Sequence, residues 1–235
     1  MTLARLEKLK TCLDRRQPDL TVITDNVHKP HNVSAIIRTC DAVGVFSLHA
    51  VMAADERFRA RSGIAMGSDK WLDIHLHDDA AGIMKSLTGQ GYRIAAVHKS
   101  DRSVDFRQVD YTRPIAVLFG AEKFGVSDHA ASLATDHVCI PMMGMVESYN
   151  VSVAAAIVLL EAQRQRDAAG QYARRSLDEQ TYQRTLFRWY RRAEADFCDR
   201  HCIDYPAMDD SGNLVDPIEF SRQRAALERS ESESN

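Results

Sequence analysis

Three short stretches place polar side chains where chemistry can be done. The first is Asn32-Val33-Ser34-Ala35-Ile36-Ile37-Arg38, after the turn Val27-His28-Lys29-Pro30-His31. Asn32 reads as a helix N-cap whose side-chain oxygen takes an amide of the first turn. Arg38 lies about 1.7 turns further on and does not share its face. Alone, a cap and a surface arginine account for this segment. The second is Leu118-Phe119-Gly120-Ala121-Glu122-Lys123-Phe124-Gly125-Val126-Ser127, in which an apolar run ends at Gly120, a carboxylate follows and Ser127 can cap the next helix. Glycine at such a point lets the backbone approach a ligand closely. The third, Ile140 to Ser152, sets three methionines around Gly144 and then Ser148-Tyr149-Asn150 ahead of an apolar run. The methionines form a soft, adaptable wall of the kind a core also uses. One of the polar pair Ser148 and Asn150 serves as a cap; two together point to a polar ligand.

The elements that must position these stretches are legible as alternation. Strands are expected at Leu20–Thr24, Ser47–Val51, Tyr92–Val97, Pro114–Phe119 and His137–Ile140, with a weaker one at Trp71–His75. Helical patterns fall between them at about 32–43, 78–88 and 127–134. This rhythm predicts an α/β fold, a mostly parallel sheet with helices on both faces. Ligands in such sheets bind beyond the carboxyl ends of the strands, so the loops after Phe119 and Ile140 are where a site belongs. A long helix is expected from Ser148 to about Arg166, buried at its start and arginine-rich at its end. Gly170 reads as a break, residues 176–200 as one amphipathic helix, and Glu228–Asn235 as disordered.

Composition bounds the function. The chain has 235 residues, 45% hydrophobic and 27% charged, which excludes collagen-like, coiled-coil and wholly disordered classes. This length fits one main body with some extra chain. No apolar run approaches the ~18 residues of a membrane span. The N-terminus is charged and lacks a signal-peptide core. Five cysteines without a CxxC fit reduced thiols, so a cytoplasmic location is expected. The net charge of −3 is uneven: residues 1–16 carry +3, residues 161–192 carry +4 and residues 204–235 carry −5. Two basic stretches can attract a polyanion, although solvated helix faces explain them as well. No GxGxxG follows a strand, since Gly89-Gln90-Gly91 stands between a helix and a strand, and neither a Walker loop nor a GxSxG elbow is present. His75 with His77, and Cys198 with His201 and Cys202, lack zinc spacing, so no metal is expected.

In order, spacing and strand-edge placement the three stretches resemble the signature motifs of the SpoU (TrmH) family of RNA ribose 2′-O-methyltransferases, in the SPOUT superfamily, over roughly residues 1–170. Arg15–Val22, Val27–Asn32, Glu161–Arg166 and the two terminal helical regions resemble the members that methylate guanosine 18 in the D-loop of tRNA. Ribosomal-RNA relatives instead carry a separate substrate-binding domain ahead of the catalytic one. The resemblance implies S-adenosyl-L-methionine as methyl donor, tRNA as substrate, a homodimer, and a trefoil knot in the carboxyl half of the body. It divides the chain into a basic N-terminal helix at 1–18, a catalytic domain at 19–168 and a helical extension with an acidic tail at 169–235. Position by position it makes Asn32, Arg38, Glu122, Ser148 and Asn150 the active-site residues. It places Val97, Gly120, Ile140, Met143 and Tyr149 around the donor; Tyr149 is often leucine in relatives. Arg5, Arg15, Arg16, Arg164, Arg166 and Arg174 are then the tRNA contacts. A guanidinium has a pKa above about 12 and is a poor base, so Arg38 is expected to hold a phosphate and stabilise the developing alkoxide. Methylation of ribosomal RNA or of another tRNA position, a catalytically silent RNA-binding dimer, and a doubly wound small-molecule enzyme are the alternatives.

Overall fold

The structure, a computed structural model, describes residues 2–52 and 70–233. The chain divides into two compact units, one of Arg15–Ser176 and one of Met1–Asp14 with Leu177–Asn235.

The larger unit is built on strands β1 (Leu20–Asp25), β2 (Ser47–Val51), β3 (Asp73–His77), β4 (Arg93–Val97), β5 (Val104–Asp105), β6 (Ile115–Gly120) and β7 (Asp136–Cys139). Their order is β3-β2-β1-β6-β4-β7-β5, and every pair is parallel. β1 and β6 are buried along their whole length, as the continuous apolar runs predict for a sheet covered on both faces. Alternate residues of each strand point to opposite faces. Leu20, Val22, Val117 and Phe119 face helices α2 (Pro30–Val43) and α5 (Val151–Ala168). Ile23, Ile94, Ala116 and Leu118 face α3 (Ala80–Gly89) and α4 (Asp128–Leu133). Full burial of side chains such as Ile36, Ile37 and Leu159 contributes roughly 1.5–3 kcal/mol each.

Local chemistry sets the helix ends. Asp79 caps α3 through the amides of Ala81 and Gly82, and Ser127 caps α4 through that of Ala130. α2 begins earlier than the sequence pattern predicts. Pro30, with its φ preset for a helix, occupies the first turn and Lys29 stands at the N-cap. Asn32 is therefore inside the helix and does not cap it. Gly44 ends α2 at φ +84°, and a Cβ there would lie 2.9 Å from the Arg15 carbonyl oxygen.

In the smaller unit, α1 (Leu3–Asp14) buries Leu6, Leu9 and Leu13 at helical spacing and packs against α6 (Glu179–Tyr190). The stretch expected as one helix over 176–200 is two: α6 stops at Tyr190 and α7 spans Arg192–Arg200. The break is at Arg191, whose guanidinium donates to the Gly212 carbonyl at 2.8 and 3.0 Å. The expectation of a disordered tail from Glu228 is also corrected, because helix α8 runs over Pro217–Glu233; residues 234–235 lie outside the described residues. Among the described residues no helix is long and apolar enough to cross a membrane.

Candidate active site

The carboxyl ends of β4, β6 and β7 open into a cleft of about 690 Å³ lined by the loops that follow them. That volume is in the range of small-molecule sites, roughly 300–1,000 Å³. Val97, Gly120, Ile140 and Tyr149 line it, as do Glu122 and Ser148.

Gly120 is fixed by close approach. A Cβ on it would lie 2.0 Å from the Gly125 carbonyl carbon and 2.1 Å from the Val126 nitrogen, so no side chain fits. The loop turns back tightly because Gly125, at φ +67°, donates its N–H to the Ala121 carbonyl at 2.7 Å. Asp25, at the end of β1, pins the far side of this loop. Its buried carboxylate accepts the Ser127 hydroxyl at 2.8 Å and the Ser127 amide at 3.2 Å. Nothing in the strand pattern marks Asp25 out beyond its being an acid at the end of an apolar run.

The first and third stretches meet because α2 and α5 pack together. Asn150 caps α5, its Oδ1 accepting from the Ser152 amide at 2.9 Å and hydroxyl at 2.6 Å. Its Nδ2 donates to Oδ1 of Asn32 at 3.3 Å. Asn150 thus takes the cap role, and Ser148 is left to line the cleft. Asn32 is 2% exposed, and its Nδ2 has no hydrogen-bond partner among the described residues. Leaving a buried donor unmade costs roughly 1–3 kcal/mol, so this amide is a place where a ligand group would be gained. Glu122 is held from the first stretch by an ion pair with Lys29.

Four anticipated site residues do not line the cleft: Asn32 and Asn150, which meet each other at the junction of α2 and α5, and Arg38 and Met143. Arg38 is exposed on α2 and does not line the cleft. Met143 is 93% exposed; its neighbours Met142 and Gly144 line the cleft.

The arginines separate into two kinds. Arg5, Arg15, Arg164 and Arg174 are exposed. Arg164 is paired with Glu161 at 2.7 and 2.8 Å, which holds that carboxyl below the usual carboxylate range. Arg16 and Arg166 are buried, and their expected role as phosphate contacts is corrected. Arg16 donates to the Val45 carbonyl at 2.9 Å and is paired with Asp41. Arg166, fully buried, donates to Asp19 Oδ1 at 2.5 Å, the Tyr111 carbonyl at 2.8 Å, Gln17 Oε1 at 3.0 Å and the Arg113 carbonyl at 3.1 Å. A guanidinium whose donors are spent in this way has none to offer a phosphate.

Residues the sequence pattern does not single out complete the wall. His98 lines the cleft, and its Nε2 lies 2.6 Å from Nδ1 of His137. Burial first, then nearby positive charge, lowers both imidazoles below the ordinary range. Cys139 lines the cleft beside them.

The arrangement offers a small ligand bare backbone and apolar walls, with a few polar groups to orient it. Residues 19–160 match the SpoU rRNA Methylase family and residues 164–217 the SpoU, rRNA methylase, C-terminal family. The chain is 51% identical over 193 residues to the tRNA (guanosine(18)-2′-O)-methyltransferase of Thermus thermophilus, covering 81% of this chain and 98% of the relative. It superposes on the A. aeolicus TrmH/SpoU tRNA modifying enzyme with a TM-score of 0.76 at 44% identity, covering 79% of this chain and 94% of the other. The SpoU methyltransferase AviRb from Streptomyces viridochromogenes, in complex with the cofactor AdoMet, gives a TM-score of 0.59 at 26% identity, covering 66% and 59%.

Proposed function

The chain belongs to the SpoU methylase family, and we propose that it transfers a methyl group from S-adenosyl-L-methionine to the ribose 2′-hydroxyl of guanosine 18 in the D-loop of tRNA. The observation that carries this reading is the convergence of the loops after β4, β6 and β7, the second and third motif stretches among them, on one cleft whose floor, at Gly120, excludes even a Cβ. The cleft suits the donor: bare backbone at Gly120, apolar walls at Val97 and Ile140, and an unmatched buried amide at Asn32 nearby.

When bound, the sulfonium donor supplies an activated methyl group and leaves as a neutral thioether. The protein's task is alignment and management of the hydroxyl proton. In this reading Arg38, exposed on α2, meets a substrate phosphate and stabilises the oxygen as its proton departs. The proton goes to that phosphate or to water, since a guanidinium does not accept one. Asn32 and Asn150 hold each other at the junction of α2 and α5 and orient the ribose. Glu122, steadied by Lys29, and Ser148 shape the loops around the donor. Arg5, Arg15, Arg164 and Arg174 contact tRNA phosphates.

The same reading gives the carboxyl half of the sheet a trefoil knot and the protein a homodimeric state. Support for a second copy is the apolar surface left open on the third loop and α5, where Met145, Val146, Val153 and Leu160 are 99%, 66%, 44% and 61% exposed. Several large apolar side chains exposed on one loop and the helix after it fit a surface that a partner covers. A cytoplasmic location accords with five free cysteines. Incubation with labelled donor and unmodified tRNA, followed by mapping of the modified nucleotide, tests the function. Label on the ribose of guanosine 18 is the expected result; label elsewhere, or on ribosomal RNA alone, refutes it.

A further inference from the structure

β4 and β7 are parallel neighbours in a register that pairs Ala96 with His137 and Val97 with Val138. His98, the next residue after β4, donates its amide to the Val138 carbonyl at 2.9 Å. Its ring lies 4.9 Å from that of His137 between centroids, and the nitrogens facing each other are 2.6 Å apart. One of those two nitrogens must present a lone pair to the other, so the pair cannot carry a full set of protons while this contact lasts. His137 is 7% exposed and its Nε2 has no partner among the described residues, so the pair has no second acceptor behind it. The front of the pair, His98, faces the cleft.

We propose that His98, braced by His137, sets how the cleft discriminates a cationic sulfonium from the neutral thioether that remains after methyl transfer. With the pair neutral, the two imidazoles add no charge to the wall beside the donor and the sulfonium is admitted. A proton on His98 places a positive charge in the cleft, which repels the sulfonium and leaves the thioether unaffected. This inference rests on the cleft being the donor site. It goes beyond that reading by assigning a charge-discriminating residue outside the three motif stretches.

Other charged groups surround the pair. Lys99 lines the cleft next to His98, and Arg102 acts on both imidazoles from the following turn. On β7, Asp136 is held by Arg93 at 2.5 Å, and the Cys139 thiol lines the cleft. Across the cleft are Glu122, engaged by Lys29, then Lys123 and Glu147. The neighbouring lysine and arginine oppose a further positive charge. Burial first, then the facing imidazole at His98 and the Arg102 charge at both, shifts protonation of the pair downward.

The test is the ratio of dissociation constants for S-adenosylmethionine and S-adenosylhomocysteine, measured by calorimetry between about pH 8 and about pH 5. The two ligands carry the same kinds of titrating group, and comparison with His98→Gln isolates the part of the ratio that depends on this imidazole. The ratio is expected to rise about fivefold to tenfold toward acid in the wild-type protein, from charge repulsion across several ångströms at intermediate dielectric. In His98→Gln it is expected to stay near its neutral-pH value, with any residual slope reporting Glu122 and Glu147. A second variant, His137→Gln, removes the brace while leaving His98, and is expected to move the onset of the rise along the pH axis. A flat wild-type ratio with both ligands bound overturns the proposal and leaves the donor site intact. An undiminished rise in His98→Gln overturns it likewise. Failure of the wild-type protein to bind either ligand overturns the donor-site reading itself, and this proposal with it.

Discussion

At the amino ends of the strands, Arg16 and Arg166 are buried, and their guanidinium groups meet carboxylates and backbone carbonyls just ahead of β1, β2 and β6. At the carboxyl ends of the same sheet, Asn32 keeps a buried amide without a partner among the described residues and two histidines share one contact, while Arg38 stands exposed further along α2. Both ends carry arginine and other polar groups. At one end the donors of Arg166 are all matched within the protein; at the other the Asn32 amide is left partly unmatched, which is what binding a ligand requires. Residue type does not separate a structural arginine from a functional one. What separates them is whether the donors are already spent.

That contrast is open to attack at each end. Arg166→Ala should have the largest effect on stability, about 3–5 kcal/mol, because it strands Asp19 and several carbonyls in a buried cluster. Urea unfolding measures it, and a loss under about 1 kcal/mol would make this cluster no more than surface decoration. Arg38→Ala should do the reverse, lowering methyl transfer by about 10²–10³-fold with stability changed by less than about 0.5 kcal/mol. Single-turnover kinetics beside the same unfolding curve separate the two effects, and retained turnover removes Arg38 from the mechanism. Asn32→Ala should slow transfer by about tenfold to a hundredfold through loss of alignment. Its stability cost should be only about 1 kcal/mol, since it deletes an unmatched donor along with one hydrogen bond. Arg164→Ala with Arg174→Ala should have the mildest effect. It should weaken tRNA binding and reduce the salt slope by about 0.7–0.9 for each phosphate no longer neutralised. A filter-binding series over salt concentration reads this slope.

The sheet is legible in the sequence because its central strands are short runs rich in β-branched and apolar residues: Leu20–Thr24 and Pro114–Phe119 fall within a residue or so of β1 and β6. β5 escapes because two residues, Val104 and Asp105, make no run at all. The three loops are legible from residue type and order, while the contacts that organise them are not. Arg166 and Asp19 are 147 residues apart, and no local pattern announces their pairing. Read locally, an arginine-rich helix end looks solvated. Asn32 reads wrongly as a cap because it is a good capping residue; Pro30, two positions earlier, starts the helix first. The break at Arg191 is hidden because the amphipathic pattern continues across it. His98 and His137 lie on separate segments, and only the parallel register brings them together.

Calorimetric titration of S-adenosylmethionine into the wild-type protein, Arg38→Ala and Gly120→Ala tests most directly whether the carboxyl-edge cleft is the donor site. A Cβ at position 120 collides with the Gly125 and Val126 backbone, so donor binding should be lost in Gly120→Ala while Arg38→Ala binds like the wild type. Undiminished donor binding by a folded Gly120→Ala protein would contradict the assignment of this cleft.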